Sequence, residues 1–336
     1  MAEGTAQSFL VLNYSGMLYN TSDTNSPFVN SLPRRNTDHV EFAISSKYAM
    51  GTPKQPEIDE TASLTAPNPT YVTRDQQTNV TQIFQYTTAV SYAKQSNMGT
   101  MSGINVAGQS SNVQNEFDFQ MGVKTAEARM DMEYTIINGV YNKATADDQA
   151  NKTRGLLAAI TTNVVAAASK ELTPHLLDEV MRKMRKSFAP TNNLVLVVDA
   201  VTRSQITNNW AKLPGFIQPA SRNVGGLAID TLVTNFGTVG IMVHDMMPAS
   251  TAMLVNMDVL EIVEQPTPGK GNFFWEPLAK VGAADKGMLF GQMGLDYGPE
   301  WYHAKITGLS ATVSDPTEAA STVNFAEGAK VITVTE

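Results

Sequence analysis

The chain has 336 residues, of which 42% are apolar and only 17% charged, against about 25% charged in an average soluble domain. That length allows one large domain or two modest ones, and the low charge excludes charge-driven disorder. A net charge of -8 excludes a basic coat for nucleic acid, and the absence of cysteine excludes disulfide frameworks, thiolate metal sites and cysteine nucleophiles.

Ahead of the first apolar stretch, at 9–12, stand Glu3 and no basic residue, and the stretch is too short for the core of a secretion signal. No window approaches the ~18 consecutive apolar residues of a membrane span. The expectation is a chain made in a cytoplasm, in which triplets such as Asn79-Val80-Thr81 match the glycosylation pattern by chance. Residues 1–37 show no sustained periodicity. Within them, the clip from Pro27 to Pro33 carries Phe28, Val29 and Leu32 and is built to dock on something. A strand is expected at 39–44, with a return strand at 80–90 through Ile83, Phe84, Tyr86 and Val90. Between them lies a Pro-rich, acidic stretch with Pro53, Pro56, Pro67 and Pro69, which fits a long hairpin with a polar tip. A connection this long exceeds the ~12–15 residues usual in a compact domain, so the hairpin either projects or packs on another subunit.

Residues 97–112 read as a loop. Asn115 then caps a helix expected over 116–142, about 39 Å long at 1.5 Å per residue. Phe119, Val123, Ala126, Met130, Ile137 and Tyr141 share its apolar face, with Tyr134 beside them, and Gly139 is tolerated near its end. Residues 143–153 are polar, and the apolar 154–160 has no assigned state. Thr173-Pro174 opens a second helix whose buried face is Leu177, Val180 or Met181, Met184 and Phe188. Arg182, Lys183, Arg185 and Lys186 crowd its last turns, where the helix dipole favours cations. Residues 194–198 form an unbroken apolar run, expected as a strand covered on both faces. Asp199 caps a helix through Trp210. Apolar runs at 229–233, 239–243 and 253–263 follow, the first two separated by a turn at Asn235-Phe236-Gly237. Together these predict layered helices and strands over 171–265. Beyond Pro268-Gly269, the segments Phe273-Phe274-Trp275 and 288–293, then Tyr297, Trp301, Tyr302 and Ile306, read as long antiparallel strands. The chain from 311 is rich in Thr, Ser and Ala, with a strand-like stretch at 330–334. No internal repeat is present.

Enzyme signatures are missing. Pro268-Gly269-Lys270-Gly271 lacks the upstream glycine and the hydroxyl residue of a phosphate loop. Gly287, Gly291 and Gly294 lack dinucleotide spacing and read as strand glycines that let neighbours approach. The four histidines, His39, His175, His244 and His303, are spread along the chain. His244-Asp245 is the one adjacent His/acid pair, and a satisfied strand-end pair outweighs a hydrolytic role for it. Asp147-Asp148 reads as a solvated loop rather than a cation site. The cluster Arg182, Lys183, Arg185, Lys186 reads as a solvated helix end rather than a phosphate site. Trp275 and Trp301 read as core or subunit-contact packing rather than a stacking platform. No catalytic, cofactor-binding or metal-binding residue is expected, and no cofactor. An acidic α+β chain with apolar clips and no active site needs partners to cover those clips, which points to an assembly subunit.

In this order of elements the chain resembles tailed-phage major capsid proteins of the Hong Kong 97-type fold. The resemblance is carried by Asn25-Ser26-Pro27-Phe28-Val29-Asn30-Ser31-Leu32, by Asn79-Val80-Thr81-Gln82-Ile83-Phe84 and by residues 127–138. It continues in Arg154-Gly155-Leu156-Leu157-Ala158-Ala159-Ile160, and in Phe236-Gly237-Thr238-Val239 with Met246-Met247-Pro248. Lys286-Gly287-Met288-Leu289-Phe290-Gly291, followed by 297–305, completes it. It spans about 25–309. It implies an N-terminal arm at 1–37, an extended loop at 38–90, and a peripheral domain from 91–170 and 266–310 with the spine helix at 116–142. It further implies an axial domain at 171–265, leaving 311–336 as an extension outside the pattern. The implied function is an icosahedral shell around double-stranded DNA, without sequence-specific binding or membrane. The implied partners are further copies as pentamers and hexamers, a portal, and scaffold or decoration proteins. The implied location is the virion, assembled in a bacterial cytoplasm. Lys47 and Lys54 lie in the loop, with no positional sign of cross-linking. An encapsulin-like compartment, another virion structural protein and a hydrolase at His244-Asp245 are the competing readings.

Overall fold

The computed structural model describes residues 25–48, 53–65, 71–96, 116–211, 222–224, 227–280 and 282–313. The expected loop at 97–112, the Asn115 cap, Pro67, Pro69, the stretch at 9–12 and the strand-like 330–334 lie outside them.

The described chain opens with α1 (Pro27–Ser31) and β1 (Arg34–Asn36). A hairpin follows, β2 (Glu41–Tyr48) and β3 (Arg74–Val80), with the short α2 (Glu60–Ser63) between its strands. The two strands form a sheet of their own, with a bulge between Ala43 and Ser45. The return strand therefore ends at Val80. The segment expected to return instead forms β4 (Gln82–Ser91), which pairs along ten residues with a strand some 200 residues downstream. Long-range pairing of that kind leaves no local mark in the sequence.

Next come α3 (Tyr92–Ser96), the long α4 (Glu116–Asn138), α5 (Leu156–Ala159) and β5 (Val164–Ala166). Helix α4 spans about 35 Å at 1.5 Å per residue. It ends four residues before the expected 142 because its backbone meets another backbone. The Gly155 amide donates to the Gly139 carbonyl at 2.9 Å. A Cβ on Gly139 would stand 2.5 Å from the Thr135 oxygen, and one on Gly155 2.5 Å from the Gly139 nitrogen. Gly139 is thus required rather than tolerated. The buried face of α4 also differs from expectation. Ala128, Met132, Glu133, Thr135, Ile136 and Ile137 are buried, while Val123 and Tyr134 are exposed. The stripe shifts because α1, α5 and β4 all pack on α4.

Helix α6 (Pro174–Lys186) starts as expected, with the Thr173 hydroxyl accepting from the Leu176 amide. It buries Leu176, Leu177, Val180, Met181 and Met184, but not Phe188, which is exposed. Then come β6 (Leu194–Val198), α7 (Ala200–Ala211) capped by Asp199, β7 (Arg222–Val224), β8 (Leu227–Thr234), β9 (Gly237–Val243) and β10 (Thr251–Asn256). The chain closes with β11 (Glu261–Glu264), β12 (Phe273–Pro277), β13 (Ala284–Asp296) and β14 (Ala304–Thr307).

These strands make two larger sheets. One has seven strands in the order β5-β14-β10-β6-β9-β8-β7; in the other, β1-β11-β13-β12, β4 adds to the free side of β13. The seven-stranded sheet reaches outside 171–265 to take β5 and β14, whereas β11 joins the other sheet. Alternation along β6 splits the core. Leu194, Leu196 and Val198 face α6 and α7, while Val195 and Val197 join the apolar cluster of Met132, Ile136, Leu289 and Tyr297. Every β6 residue is buried, as its unbroken apolar run requires. The fold is α+β, helices and sheets in layers around a core in two clusters.

Candidate assembly site

The segment 25–36 is seated on the core of its own chain. Phe28, Val29 and Leu32 are buried in the cluster that contains Ile136 and Ile137. Each buried side chain of this size is worth about 2 kcal/mol. The Ser26 side chain does not cap α1. The carboxylate of Glu133 on α4 caps it instead: Oε1 accepts the Phe28 amide and Oε2 the Val29 amide, both at 2.8 Å. Glu133 is itself fully buried, and His244, at the end of β9, donates Nε2–H to Oε1 at 2.8 Å. The Met246 amide donates to His244 Nδ1 at 3.1 Å, which fixes the neutral tautomer protonated at Nε2. The Phe28 ring stacks on the imidazole, centroids 6.0 Å apart. One carboxylate so joins α1, α4 and the seven-stranded sheet.

Strand β1 extends the seat. It pairs in parallel with β11, and its two arginines reach both ways. Arg34 holds the buried Glu264 at 2.6 Å and donates to the Val29 carbonyl at 3.2 Å. Arg35 bridges Asp296 and Glu261 and lies 5.7 Å over the Phe42 ring. Phe42 in turn occupies the space that a side chain at Gly294 would fill.

The hairpin β2–β3 is satisfied at its root and bare at its tip. Asn79 is fully buried and uses its whole amide. Its Nδ2 donates to the Leu295 carbonyl at 2.8 Å and the Arg154 carbonyl at 3.2 Å, while its Oδ1 accepts the Arg154 amide at 2.9 Å and its neighbour's amide at 3.0 Å. The Thr81 amide closes the root on the Val40 carbonyl at 2.8 Å, and Lys143 pairs with Glu41. Farther out, Tyr48, Ile58, Leu64, Tyr71 and Val72 are exposed, with Tyr71 87% open and Leu64 84%. In place of the polar tip expected from the sequence, these are apolar side chains on a two-stranded ribbon, with no cover from the described residues.

The sequence matches the family model described as SU10 major capsid protein over residues 1–310. The chain belongs to that family. Solved structures share the fold of this capsid protein at low identity. The holo-SrpI encapsulin complex from Synechococcus elongatus PCC 7942 superposes with a TM-score of 0.59 at 11% identity, covering 88% of this chain and 94% of that one. The Cyanophage A-1(L) capsid asymmetric unit gives 0.57 at 13%, covering 90% and 97%. Mycobacterium phage Adephagia gives 0.55 at 11%, covering 94% and 99%. Among curated proteins, none matches the chain by sequence. These likenesses show the Hong Kong 97-type fold, and the family match makes the chain a phage major capsid protein, a structural protein of the virion shell.

The other residues singled out in the sequence of this capsid protein fall in scattered places. His244 is satisfied, but by Glu133 rather than by Asp245, which is exposed on the next position of the chain. His303 is fully buried, donating Nε2–H to the Tyr297 carbonyl at 2.7 Å while Nδ1 accepts the Asn256 amide. Burial pushes its pKa down to about 4, against the weaker upward pull of the Tyr297 carbonyl and Glu300. Burial drives the Glu300 carboxyl up, but hydrogen bonds from the Thr162 hydroxyl and the Thr161 and Thr162 amides outweigh it and leave it below its usual range. His39 and His175 are exposed. Asp147 and Asp148 sit on an exposed loop closed by the Asn142–Lys152 bridge. Among the described residues, no group of three His, Asp or Glu side chains is arranged to hold a metal, and no helix is long and apolar enough to cross a membrane.

Trp275 packs partly buried against the main core, and Trp301 meets Tyr302 edge-on, centroids 6.0 Å apart. Gly291 and Gly294 admit the rings of Phe273 and Phe42, and Gly287 lies against Phe117 and Trp275, as strand glycines should. Gly269 and Gly271 adopt φ of +79° and +97° in a tight turn between Thr267 and Gly271. Lys47 faces Asp75 across the hairpin at 3.5 Å, and Lys54 is exposed. Sequence reasoning missed Glu133 and Asn79 as seats. A signal for Glu133 existed: it stands one turn before Ile136 and Ile137, on the stripe rather than opposite it.

Proposed function

We propose that this chain builds pentamers and hexamers of a closed icosahedral shell and has no catalytic step. The carrying observation is the hairpin whose root is fully hydrogen-bonded while its tip exposes five large apolar side chains. On this reading residues 38–90 are the extended loop, laid over a neighbouring subunit, and residues 1–37 are the arm. The peripheral domain comprises 91–170 and 266–310, and the axial domain comprises 171–265. The family match ends at residue 310, and 311–336 form an extension beyond it. The shell encloses double-stranded DNA without reading its sequence. A net charge of -8 supports this, since an acidic wall does not grip the packaged polymer. A portal and scaffold or decoration proteins are the further partners of this reading, with assembly in a bacterial cytoplasm.

The encapsulin-like alternative draws on the fold-level likeness to an encapsulin, and the phage-capsid family match outweighs it. Electron microscopy of the purified chain tests the proposal. Closed particles, or rings of five and six, are expected. A monodisperse monomer at every concentration and salt condition would contradict it.

A further inference from the structure

Helix α6 ends in a Schellman-type turn whose left-handed position holds an unusual residue. The Ala189 amide donates to the Met184 carbonyl and the Phe188 amide to the Arg185 carbonyl, both at 3.0 Å. This closure sets φ at residue 188 to +57°, where glycine is the unstrained choice. Phenylalanine fills it, and the side chain is 91% exposed, the highest exposure of any large hydrophobic residue among those described. A bulky residue there strains the backbone, and its exposed ring is left almost bare by the described residues. Such an outlier calls for a reason outside the subunit.

Its surroundings supply the character of that reason. Arg182, Arg185 and Lys186 are exposed at the same helix end, three and four residues apart and so on one face. Among the described residues none of the three forms an ion pair. Arg185 instead lies 5.9 Å from the ring centroid of Phe236, in the turn between β8 and β9. An exposed phenylalanine at the same helix end as two exposed arginines combines residue types enriched at contact centres. The helix belongs to the layer over the seven-stranded sheet, away from the arm seat.

Resting on the shell reading above, we propose that Phe188 with Arg182, Arg185 and Lys186 forms a subunit–subunit contact that receives an acidic face of a second copy of this chain. Charge complementarity selects that occupant. The chain carries 32 acidic against 24 basic residues. Asp147 and Asp148 are exposed acids, on the loop between α4 and α5, that form no ion pair among the described residues. A ring is built from two unlike patches meeting head to tail, so a basic patch on every copy meets a different, acidic patch on the next.

The test uses the purified full chain alone, so that other virion proteins cannot contribute. Phe188→Gly relieves the strained turn and removes the ring. It should leave the melting temperature of the dissociated subunit equal or higher, while lowering the yield of rings and particles by about tenfold or more. Arg182→Glu with Lys186→Glu touches exposed side chains only and should cause a similar loss. Wild-type yield from Phe188→Gly would overturn the proposal and assign the patch to solvent or to another virion protein. If Phe188→Gly unfolds, the double charge reversal decides, and wild-type yield from it overturns the proposal equally. Wild-type chain run alongside separates the two readings, because its own failure to assemble would sink the shell reading instead.

Discussion

The segment 25–36 and the hairpin both read in sequence as extensions of the body, one an apolar clip and the other a long connection, and the structure treats them oppositely. Residues 25–36 find every partner within the chain: a buried carboxylate for the α1 amides, a strand for β1, and apolar cover for Phe28, Val29 and Leu32. The hairpin finds partners in the body only near its root, at Asn79, Phe42 and Ile44, and from Tyr48 outward its described apolar side chains stand open. The difference separates folding from assembly. What is satisfied in residues 25–36 stabilises the single subunit, whereas on the proposed shell reading the hairpin tip is left for another copy to cover. On that reading, a subunit arranged this way keeps residues 25–36 seated before assembly and still has area left to bury in the shell.

Four changes break or sharpen that contrast. Removing residues 45–75 and closing the hairpin with a short glycine turn should abolish closed particles while leaving far-ultraviolet circular dichroism and cooperative melting in place. Sedimentation and melting curves report the two halves of that statement, and normal particles would refute the hairpin's role. Glu133→Ala should act in the opposite sense, on the subunit itself. It strands two α1 amides and the His244 Nε2–H in a dry core, at a cost of roughly 3 to 5 kcal/mol. Trypsin should then cut at Arg34 and Arg35 well before the body unfolds.

His303 tests the common body that carries both extensions. Its folded pKa lies near 4, below the ordinary 6.5 of an unfolded imidazole. Between those values the unfolded chain binds the extra proton. Stability is therefore full above pH 6.5 and falls as the pH drops towards 4, by up to roughly 3 kcal/mol. Denaturant titrations of His303→Gln across this window should show a flatter pH slope than wild type. The smallest effect is expected from Asn79→Ala, at the boundary between root and tip. The loss of its amide should cost about 2 kcal/mol and loosen the hairpin without exposing the arm. Equal loosening of the two by proteolysis would erase the distinction between them.

Local chemistry made parts of this architecture legible in the sequence. Thr173-Pro174 announces α6, Asp199 caps α7, and the unbroken run at 194–198 is a strand buried on both faces. The glycines at 287, 291 and 294 read correctly as places of close approach. What stayed hidden depends on distant partners. Nothing near 80–90 tells that it pairs with 284–293 rather than with the opening strand. The face of α4 was displaced because its burial is set by α1, α5 and β4, and because the stripe contains Glu133, a residue type normally assigned to solvent. His244 was paired with its neighbour in sequence, whereas its partner lies 111 residues away. Phe188 was placed in the core by helical spacing, but the left-handed turn at +57° swings it out.

Hydrogen–deuterium exchange on the free subunit and on assembled particles tests the central claim most directly. Amides of 27–36 should be protected equally in both states, and those of 53–65 and 71–78 should gain protection only in particles. Protection of the arm that appears only on assembly, or a hairpin whose exchange does not change, would contradict the account.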